Sequence, residues 1–258
     1  MQEGGGDGVK AAEDYKTYHF SKKEFGLNTL TGYAGSFVLL YLFYHSWLLS
    51  VFFGIPGAIG YLLYRRRVLV ERQQWLLMED FKDAMDSMVS ALVAGYSMEN
   101  AITEAYHDLR LLKGSETPMI RELGQIRQQL GLQHTLDELL LDLGRRSGVE
   151  DIVVFAQIYA TARRSGGNLV KVMKRTAENI GEKMEMQREI QTMIAGKKME
   201  ATCMMVIPLL IILYLQVCSP GFLDPLYGNA MGVLFMSVAL VIYVIGVIWS
   251  RHIMDISC

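Results

Sequence analysis

Three observations predict an all-α, polytopic membrane protein with one cytoplasmic six-helix bundle. Hydrophobic residues make up 51% of the 258 residues, charged residues only 20%, and the mean hydropathy is +0.21, whereas soluble chains carry about 25% charged residues. Charge is concentrated in residues 65–200, which hold 20 of the 25 Lys and Arg and 20 of the 27 Asp and Glu. Within that segment apolar residues recur at helical spacing, which predicts helices and no strand.

The composition also argues against several functional classes. Equal numbers of acidic and basic residues leave residues 65–200 without a net positive field, so we expect no nucleic-acid partner. The three cysteines and five histidines show no ligand spacing, which predicts no metal site. Because the sequence also lacks the nucleotide, zinc-protease and serine-hydrolase motifs, we expect no enzymatic activity and no cofactor.

The first apolar run covers residues 31–64 and follows an N-terminal segment, residues 1–30, expected in the cytoplasm. As one helix this run would be about 51 Å long, against a hydrocarbon core of about 30 Å. Basic residues stand on both sides of it, at Lys22, Lys23 and 65–67. Since basic flanks favour the cytoplasmic side, we predict a hairpin of two spans that turns near His45. A single kinked span is the alternative.

Two further uncharged runs, residues 201–217 and 230–249, are each long enough to cross a bilayer. Lys197 and Lys198 precede the first run and Arg251 follows the second, while the loop 218–229 between them contains no basic residue. This pattern places the loop outside the cytoplasm and the tail, residues 250–258, inside it. The sequence therefore predicts a multi-pass protein of the cytoplasmic membrane with four spans and both termini in the cytoplasm.

Polar residues before apolar stretches divide residues 65–200 into six helices. A first helix ends near Gly95, because glycine commonly terminates a helix in the left-handed conformation. The last helix has no strong stop signal before Lys197, so we expect it to continue into the third span. N-caps of the five later helices are predicted at Ser97, Thr117, Thr135, Ser147 and Asn168.

A basic group surrounds the glycine pair that precedes the last of these helices. We call it the basic turn and predict that it binds a protein partner. The structural alternatives are that the arginines favour a helix C-terminus, that the glycines only form a turn, and that the lysine is solvated. The basic turn consists of Arg163, Arg164, Gly166, Gly167, Asn168 and Lys171.

A second candidate surface is the acidic stripe Glu79, Asp83 and Asp86, which lies near one face of the first helix. Carboxylates on an amphipathic helix usually form its solvated side. The stripe is therefore either a solvated face, a docking surface for a partner, or an internal partner of the basic turn.

Three blocks of sequence resemble the F domain of type II secretion systems. The first runs from Phe81 to Ala101 and includes Ala94-Gly95-Tyr96-Ser97, and the second runs from Arg145 to Leu169 and includes the glycine pair. The third joins Gly196-Lys197-Lys198 to the loop sequence Ser-Pro-Gly-Phe-Leu-Asp-Pro-Leu at 219–226. Together they extend the resemblance over about residues 78–228 in the family's order.

Within this family the chain is similar to the tight-adherence (Tad/Flp) pilus assembly proteins of the TadB/TadC type. The larger platform proteins of the family carry two copies of the cytoplasmic domain. Because one copy is present here, the resemblance implies that a sister subunit or self-association supplies the other. It also implies a platform in the inner membrane that couples a hexameric secretion ATPase to the extraction of pilin from the lipid bilayer.

Two other functions remain open at the level of sequence. One is a small polytopic transporter or channel, although the apolar runs contain no ionisable group besides His45 and tyrosines, whereas intramembrane ionisable groups usually mark transport paths. The other is a membrane adaptor for a different cytoplasmic complex.

Overall fold

A computed structural model describes residues 15–16, 22–114, 117–132, 134–166, 168–219, 221–227 and 229–255. Gly167, a member of the basic turn, lies outside the described residues. Within them all regular structure is helical and no strand occurs, which confirms the all-α prediction. The described helices are α1 (Lys22–Tyr44), α2 (Trp47–Val93), α3 (Met98–Lys113), α4 (Pro118–Leu130), α5 (Leu136–Ser147), α6 (Glu150–Arg164), α7 (Leu169–Cys218), α8 (Asp224–Tyr227) and α9 (Ala230–Asp255).

The chain divides into two compact units. The polar unit contains Tyr15, Lys16 and Arg67–Lys183, and the apolar unit contains the described residues of 20–66 and 184–255. The predicted domain 65–200 extends further than the polar unit, because residues 184–200 group with the apolar unit. As the sequence predicted, α7 continues without a break into the predicted third span, residues 201–217, and ends at Cys218.

Six helices build the polar unit, namely the second part of α2, α3 to α6 and the first part of α7. Helices that are neighbours in sequence pack together, with α3 on α4, α4 on α5 and α5 on α6. Phe81 of α2 meets Phe155 of α6 edge to face, with ring centroids 5.2 Å apart. The fully buried side chains that α2 to α6 contribute include Leu77, Phe81, Met85, Met88, Ile102, Leu109, Met119, Leu123, Leu136, Leu143 and Phe155.

The predicted helix starts are confirmed at four of five positions. Ser97, Thr117, Thr135 and Asn168 each stand immediately before a helix. Ser97 accepts a hydrogen bond from the backbone N–H of Asn100, whereas the hydroxyls of Thr117 and Thr135 make no capping hydrogen bond. Thr117 and Thr135 therefore mark the predicted helix starts, but neither caps its helix through its side chain.

The predicted N-cap at Ser147 is also wrong. Ser147 is the last residue of α5, and Val149 precedes α6 instead. The Ser147 hydroxyl donates to the carbonyl of Gly144 and accepts from the N–H of Val149. It therefore connects the end of one helix to the start of the next, an arrangement allowed by the left-handed conformation of Gly148 (φ 68°).

Among the described residues, three helices are long and apolar enough to cross a membrane, by length and composition: α2, α7 and the Met231–Ser250 part of α9. The break between α1 and α2 lies at His45, where the sequence predicted a turn, and His45 has a positive φ of 46°. α1 is not among the three, since Asn28, Thr29 and Thr31 make its first half polar. A fourth span therefore stays a prediction.

Small residues allow close helix contacts within the apolar unit. A Cβ atom added to Gly57 of α2 would lie 2.3 Å from the hydroxyl oxygen of Ser36 in α1. At Gly60, one helical turn further along α2, the same atom would meet nothing within 4 Å. The side chain of Ser36 in α1 therefore lies directly against α2 at Gly57.

Hydrogen bonds close the end of the apolar unit near the α1–α2 break. The carbonyl of Leu42, in the last turn of α1, accepts from Gln216 Nε2 and from the Tyr227 hydroxyl, each at 3.0 Å. The rings of Tyr227 and His45 stack with centroids 5.5 Å apart, and the hydroxyls of Tyr44 and Ser237 lie 2.8 Å apart. These contacts join α1, α7, α8 and α9.

Candidate partner-binding site

The basic turn connects α6 to α7 at the surface of the polar unit. α6 ends at Arg164, and Gly166 reverses the chain in the left-handed conformation with a φ of 65°. Asn168 then starts α7, because its side-chain oxygen accepts from the backbone N–H of Lys171 at 3.1 Å. Sequence reasoning therefore identified the local structure of the turn correctly.

Ion pairs differ among the cations of the basic turn. Arg163 bonds to Asp137 of α5, and the hydrogen bond to that carboxylate raises the Arg163 pKa. The side chains of Arg164 and Lys171 are exposed, and neither has a carboxylate partner among the described residues. The available positive charge therefore lies at Arg164 and Lys171, while much of the charge of Arg163 is compensated.

Tyr159 supports this end of α6 from within. Burial raises its pKa to about 12, against the opposing effect of the nearby Arg163 guanidinium. Its ring stacks near Phe155, with centroids 6.5 Å apart. The last turns of α6 thus rest on the unit's core, which holds the basic turn in place.

Two members of the acidic stripe, Asp83 and Asp86, make ion pairs with lysines of α2 and α3. Lys113, the last residue of α3, bonds to Asp80 at 2.6 Å and to Asp83 at 2.8 Å. Desolvation lowers the Lys113 pKa, but the hydrogen bonds to both aspartates outweigh it and leave the pKa raised. Asp86 pairs with Lys82 at 2.8 Å. The ion pairs seen at Asp83 and Asp86 are therefore not with the basic turn.

An open groove of about 510 Å³ lies beside the acidic stripe, between α2 and α3. Ser87 donates a hydrogen bond to Asp108 inside it. Two leucines of the last turn of α3 form its apolar edge, and they are 84% (Leu111) and 76% (Leu112) exposed. The stripe thus borders a surface with both acidic and apolar character, which sequence reasoning did not find.

A buried ion pair in the polar unit was also missed. Glu122 of α4 is 1% exposed. Its carboxylate accepts hydrogen bonds from both terminal nitrogens of Arg146 in α5, at 2.9 and 2.7 Å. Asp142 accepts a hydrogen bond from the remaining guanidinium nitrogen at 2.7 Å. Hydrogen bonds to Glu122 raise the pKa of Arg146 despite its desolvation. The sequence does not indicate that Glu122 is buried, because a charged residue near the start of an amphipathic helix usually belongs to its solvated face.

The described residues contain no cluster of three or more His, Cys, Asp or Glu side chains that could hold a metal ion. Cys203 and Cys218 are both exposed and unpaired with each other. The features that distinguish the two candidate surfaces are therefore their charge and their exposed apolar side chains.

A comparison with protein families finds a match over the middle of the chain. The model of the family "Type II secretion system (T2SS), protein F" matches residues 84–216, just over half of the 258 residues. This range includes all of α3 to α6 and the basic turn. No curated protein and no solved structure matches the chain.

Proposed function

Because the chain belongs to the type II secretion system protein F family, we propose that it is a non-enzymatic platform protein of the cytoplasmic membrane. Its machine is a Tad/Flp-type pilus assembly system related to type IV pili. There it couples a hexameric secretion ATPase to the extraction and assembly of pilin. The resemblance described above supports the Tad/Flp type, in which each chain carries one copy of the cytoplasmic domain.

The proposal rests on one observation, which is that a polar segment and an apolar segment form one continuous helix, α7. This helix of 50 residues begins at Leu169, within the basic turn, and ends in an apolar segment that meets the requirements for a membrane span. An unbroken helix is a stiffer connection than a loop, although Pro208 inside it removes one backbone hydrogen bond. In the proposed mechanism, ATPase movement applied near the basic turn reaches pilin in the bilayer through α7.

The cytoplasmic partners are proposed to use different parts of the polar unit. Arg164 and Lys171 present uncompensated positive charge, which suits an acidic surface on the ATPase. A sister subunit of the same family or a second copy of this chain would supply a second polar unit. Both termini are proposed to lie in the cytoplasm, in keeping with the basic residues on either side of the apolar runs.

Co-purification tests the ATPase contact. The variant Arg164→Glu/Lys171→Glu, expressed at native level with the other pilus proteins, is expected to retain less than about a tenth of the ATPase, because close charge pairs contribute roughly 1.5 kcal/mol or more each. Arg145→Glu is the matched control, since Arg145 is an exposed arginine at the end of a different helix. Equal ATPase recovery from both variants would remove the basic turn from the docking surface.

A second experiment addresses the function itself. Deletion of the gene in its host is expected to abolish surface pili while pilin accumulates in the membrane, and wild-type protein should restore assembly. The purified chain in proteoliposomes is expected to show neither ATP hydrolysis nor solute flux. Normal piliation in the deletion strain, or flux by the purified chain alone, would contradict the platform function.

A further inference from the structure

An open groove of about 520 Å³ runs between α1 and α2 within the apolar unit. We call it the α1–α2 groove. Its exposed apolar lining comes from both helices, and the buried Ala58 lies beneath it. The exposed lining includes Phe25, Leu30, Ile55 and Ile59. The helix pair therefore presents a concave apolar surface to its surroundings.

The two hydroxyl groups that line the groove are both bonded to the backbone. Thr29 donates to the carbonyl of Phe25 at 2.7 Å, and Tyr33 donates to the carbonyl of Val51 at 3.5 Å. Polar groups that are already hydrogen-bonded can be covered by hydrocarbon at little cost. The groove is therefore suited to an apolar occupant along its whole length.

Tyr33 closes one end of the groove, because its ring lies against α2. A Cβ atom added to Gly54 would lie 3.1 Å from Tyr33 Cε2. From Tyr33 to Phe25, at the other end, eight residues of helix cover about 12 Å. One leaflet contributes about half of a hydrocarbon core of about 30 Å. The groove thus matches a lipid chain within one leaflet, whereas a membrane-spanning partner helix would need a surface of twice that length.

Two contacts show that α1 and α2 run in opposite directions. Gly32 faces Tyr61, and Ser36, four residues later in α1, faces Gly57, four residues earlier in α2. Movement along α1 toward its start therefore corresponds to movement along α2 toward residue 65. The end of the groove at Phe25 is thus the end at which the basic residues of α2 begin.

Basic residues continue the faces of both helices beyond this end of the groove. Lys23 stands three residues before Gly26, which lines the groove on α1. Arg65 and Arg66 stand three and four residues after Leu62, which lines it on α2. Residues at this spacing lie on the same face of a helix. The three cations are therefore on the groove's side of the helix pair.

The lysine and the arginines also lie at the same level along the helix pair. Measured from the contact between Tyr33 and Gly54, Lys23 is ten residues away on α1, or about 15 Å. Arg65 is eleven residues away on α2, or about 16.5 Å. Since the two helices run in opposite directions, these distances extend to the same side. The cations therefore meet at the open end of the groove.

The positive charge at this end is largely uncompensated. Lys23, Arg65 and Arg66 are exposed, and none of them makes an ion pair with a residue that the structure describes. Residues 22–66 contain a single acidic residue, Glu24. A net positive charge therefore borders an apolar groove, which is the combination that an anionic amphiphile would complement.

We propose that the α1–α2 groove and these cations form a binding site for an anionic phospholipid. One acyl chain lies in the groove, and the phosphate lies between Lys23 and the two arginines, whose planar guanidinium groups match phosphate oxygens. Basic residues beside a span commonly serve only to orient a protein in the membrane. Here the groove on the same helix faces adds a place for the chain. The site requires the apolar unit to lie in a membrane and is independent of pilus assembly.

Lipid titration of the full-length, detergent-solubilised protein, followed by native mass spectrometry, tests the headgroup contact. The probes are dioleoyl phosphatidylglycerol, which is anionic, and dioleoyl phosphatidylcholine, which has the same chains and no net charge. Wild type is expected to bind the anionic lipid at least about tenfold more tightly, since each basic residue near an anionic headgroup contributes about fivefold. Arg65→Gln/Arg66→Gln should lose this preference.

Lys197→Gln/Lys198→Gln is the matched control. It removes two exposed cations that precede another apolar run, on α7, which contributes nothing to the lining of the groove. This variant is expected to keep the preference of wild type. An equal loss in both double variants, or equal binding of the two lipids by wild type, would overturn the site.

A second variant tests the groove without changing any charge. Gly26→Leu adds a side chain to the lining, where a Cβ atom meets nothing within 4 Å. Binding of phosphatidylglycerol is expected to weaken about tenfold, because the added side chain displaces part of the lipid chain from apolar contact. Gly60→Leu is the control, since its Cβ atom is equally free and Gly60 does not line the groove. Equal binding by both leucine variants would contradict the acyl-chain contact.

Competition with inorganic phosphate distinguishes a lipid from a free anion. Millimolar phosphate is expected to leave phosphatidylglycerol bound to wild type, because the ion has no chain to fill the groove. Displacement of the lipid by phosphate would assign the cations to a soluble anion and overturn the proposal. All of these measurements use the purified chain alone, so their failure would leave the proposed platform function standing.

Discussion

The polar and apolar units differ in where their large apolar side chains lie. In the polar unit the phenylalanines that meet between α2 and α6, Phe81 and Phe155, are at most 1% exposed. In the apolar unit large side chains face outward, as at Leu48 (85% exposed) and Ile242 (65%). The first unit has the interior of a water-soluble domain, whereas the second has the surface expected of helices in lipid.

This difference implies different sources of stability. Burial of apolar surface, at about 25 cal/mol per Å², stabilises a domain in water. Between helices in lipid that driving force is absent, and close packing of small residues and interhelical hydrogen bonds replace it. The same type of substitution should therefore change stability differently in the two units. The following variants measure this difference.

Loss of the buried ion pair should have the largest effect. In Arg146→Ala the carboxylate of Glu122 stays buried without its cation, which typically costs about 3–5 kcal/mol. We expect the free energy of unfolding of the polar unit to fall by this amount in urea titrations of the detergent-solubilised protein, followed by circular dichroism.

Two controls define the cause. Arg145→Ala removes the exposed neighbouring arginine and should change the free energy of unfolding by less than about 0.5 kcal/mol. In a Glu122→Leu background the Arg146→Ala change should cost far less, because no carboxylate is left uncompensated. An equal loss in both backgrounds would show that the arginine stabilises the unit by packing alone.

Close approach of α1 and α2 should give the next largest effect. Gly57→Ala places a methyl group 2.8 Å from Ser36 Cβ, and overpacking of this kind typically costs about 1–3 kcal/mol. We expect a lower temperature of aggregation in detergent, with the polar unit's unfolding in urea unchanged.

Gly60→Ala is the control for helix propensity, since its added methyl group meets nothing within 4 Å. Alanine favours a helix over glycine by about 1 kcal/mol, so this variant should be as stable as wild type or more stable. Equal behaviour of the two alanine variants would contradict the close approach at Gly57.

Sequence reasoning succeeded where local chemistry decides the structure. Glycine at 95 and the polar residues at 97 and 168 specify helix ends through interactions within a few residues. The long uncharged runs likewise follow from composition alone. At Ser147 the same reasoning was wrong, because a serine between two helices can bond to either, and here it bonds to both.

Other contacts that sequence reasoning missed join residues distant in the chain. Tyr15 meets Glu122 across 107 positions, and Gln216 meets Leu42 across 174. A tyrosine in a polar tail and a glutamate on an amphipathic helix each look solvated when read alone. Their burial depends on the packing of α4 against α5, which no periodicity in the sequence specifies.

Helix capping should have a smaller effect, and it allows two similar sites to be compared. Ser97→Ala removes a capping hydrogen bond to the N–H of Asn100 and should lower the free energy of unfolding by about 1 kcal/mol. Thr135→Ala removes a hydroxyl without a capping bond and should cost less than half as much. The order of the two losses in urea titrations checks the assignment, and a larger loss at Thr135 would contradict it.

The smallest expected effect concerns the hydrogen bonds of the apolar unit. Gln216→Leu removes the bonds to the Leu42 carbonyl and to the Tyr227 hydroxyl, yet such bonds in membranes average only about 0.6 kcal/mol. Tyr227 also donates to the same carbonyl, so either donor satisfies it when the other is lost. Gln216→Leu and Tyr227→Phe should each have little effect on the thermal stability of the detergent-solubilised protein.

The double variant should lose more thermal stability than the sum of the two single losses, because only then is the Leu42 carbonyl without either donor. If the stability losses of the two single variants simply add in the double variant, each side chain acts independently. The Leu42 carbonyl would then not be the shared acceptor that connects α1 to α7 and α8.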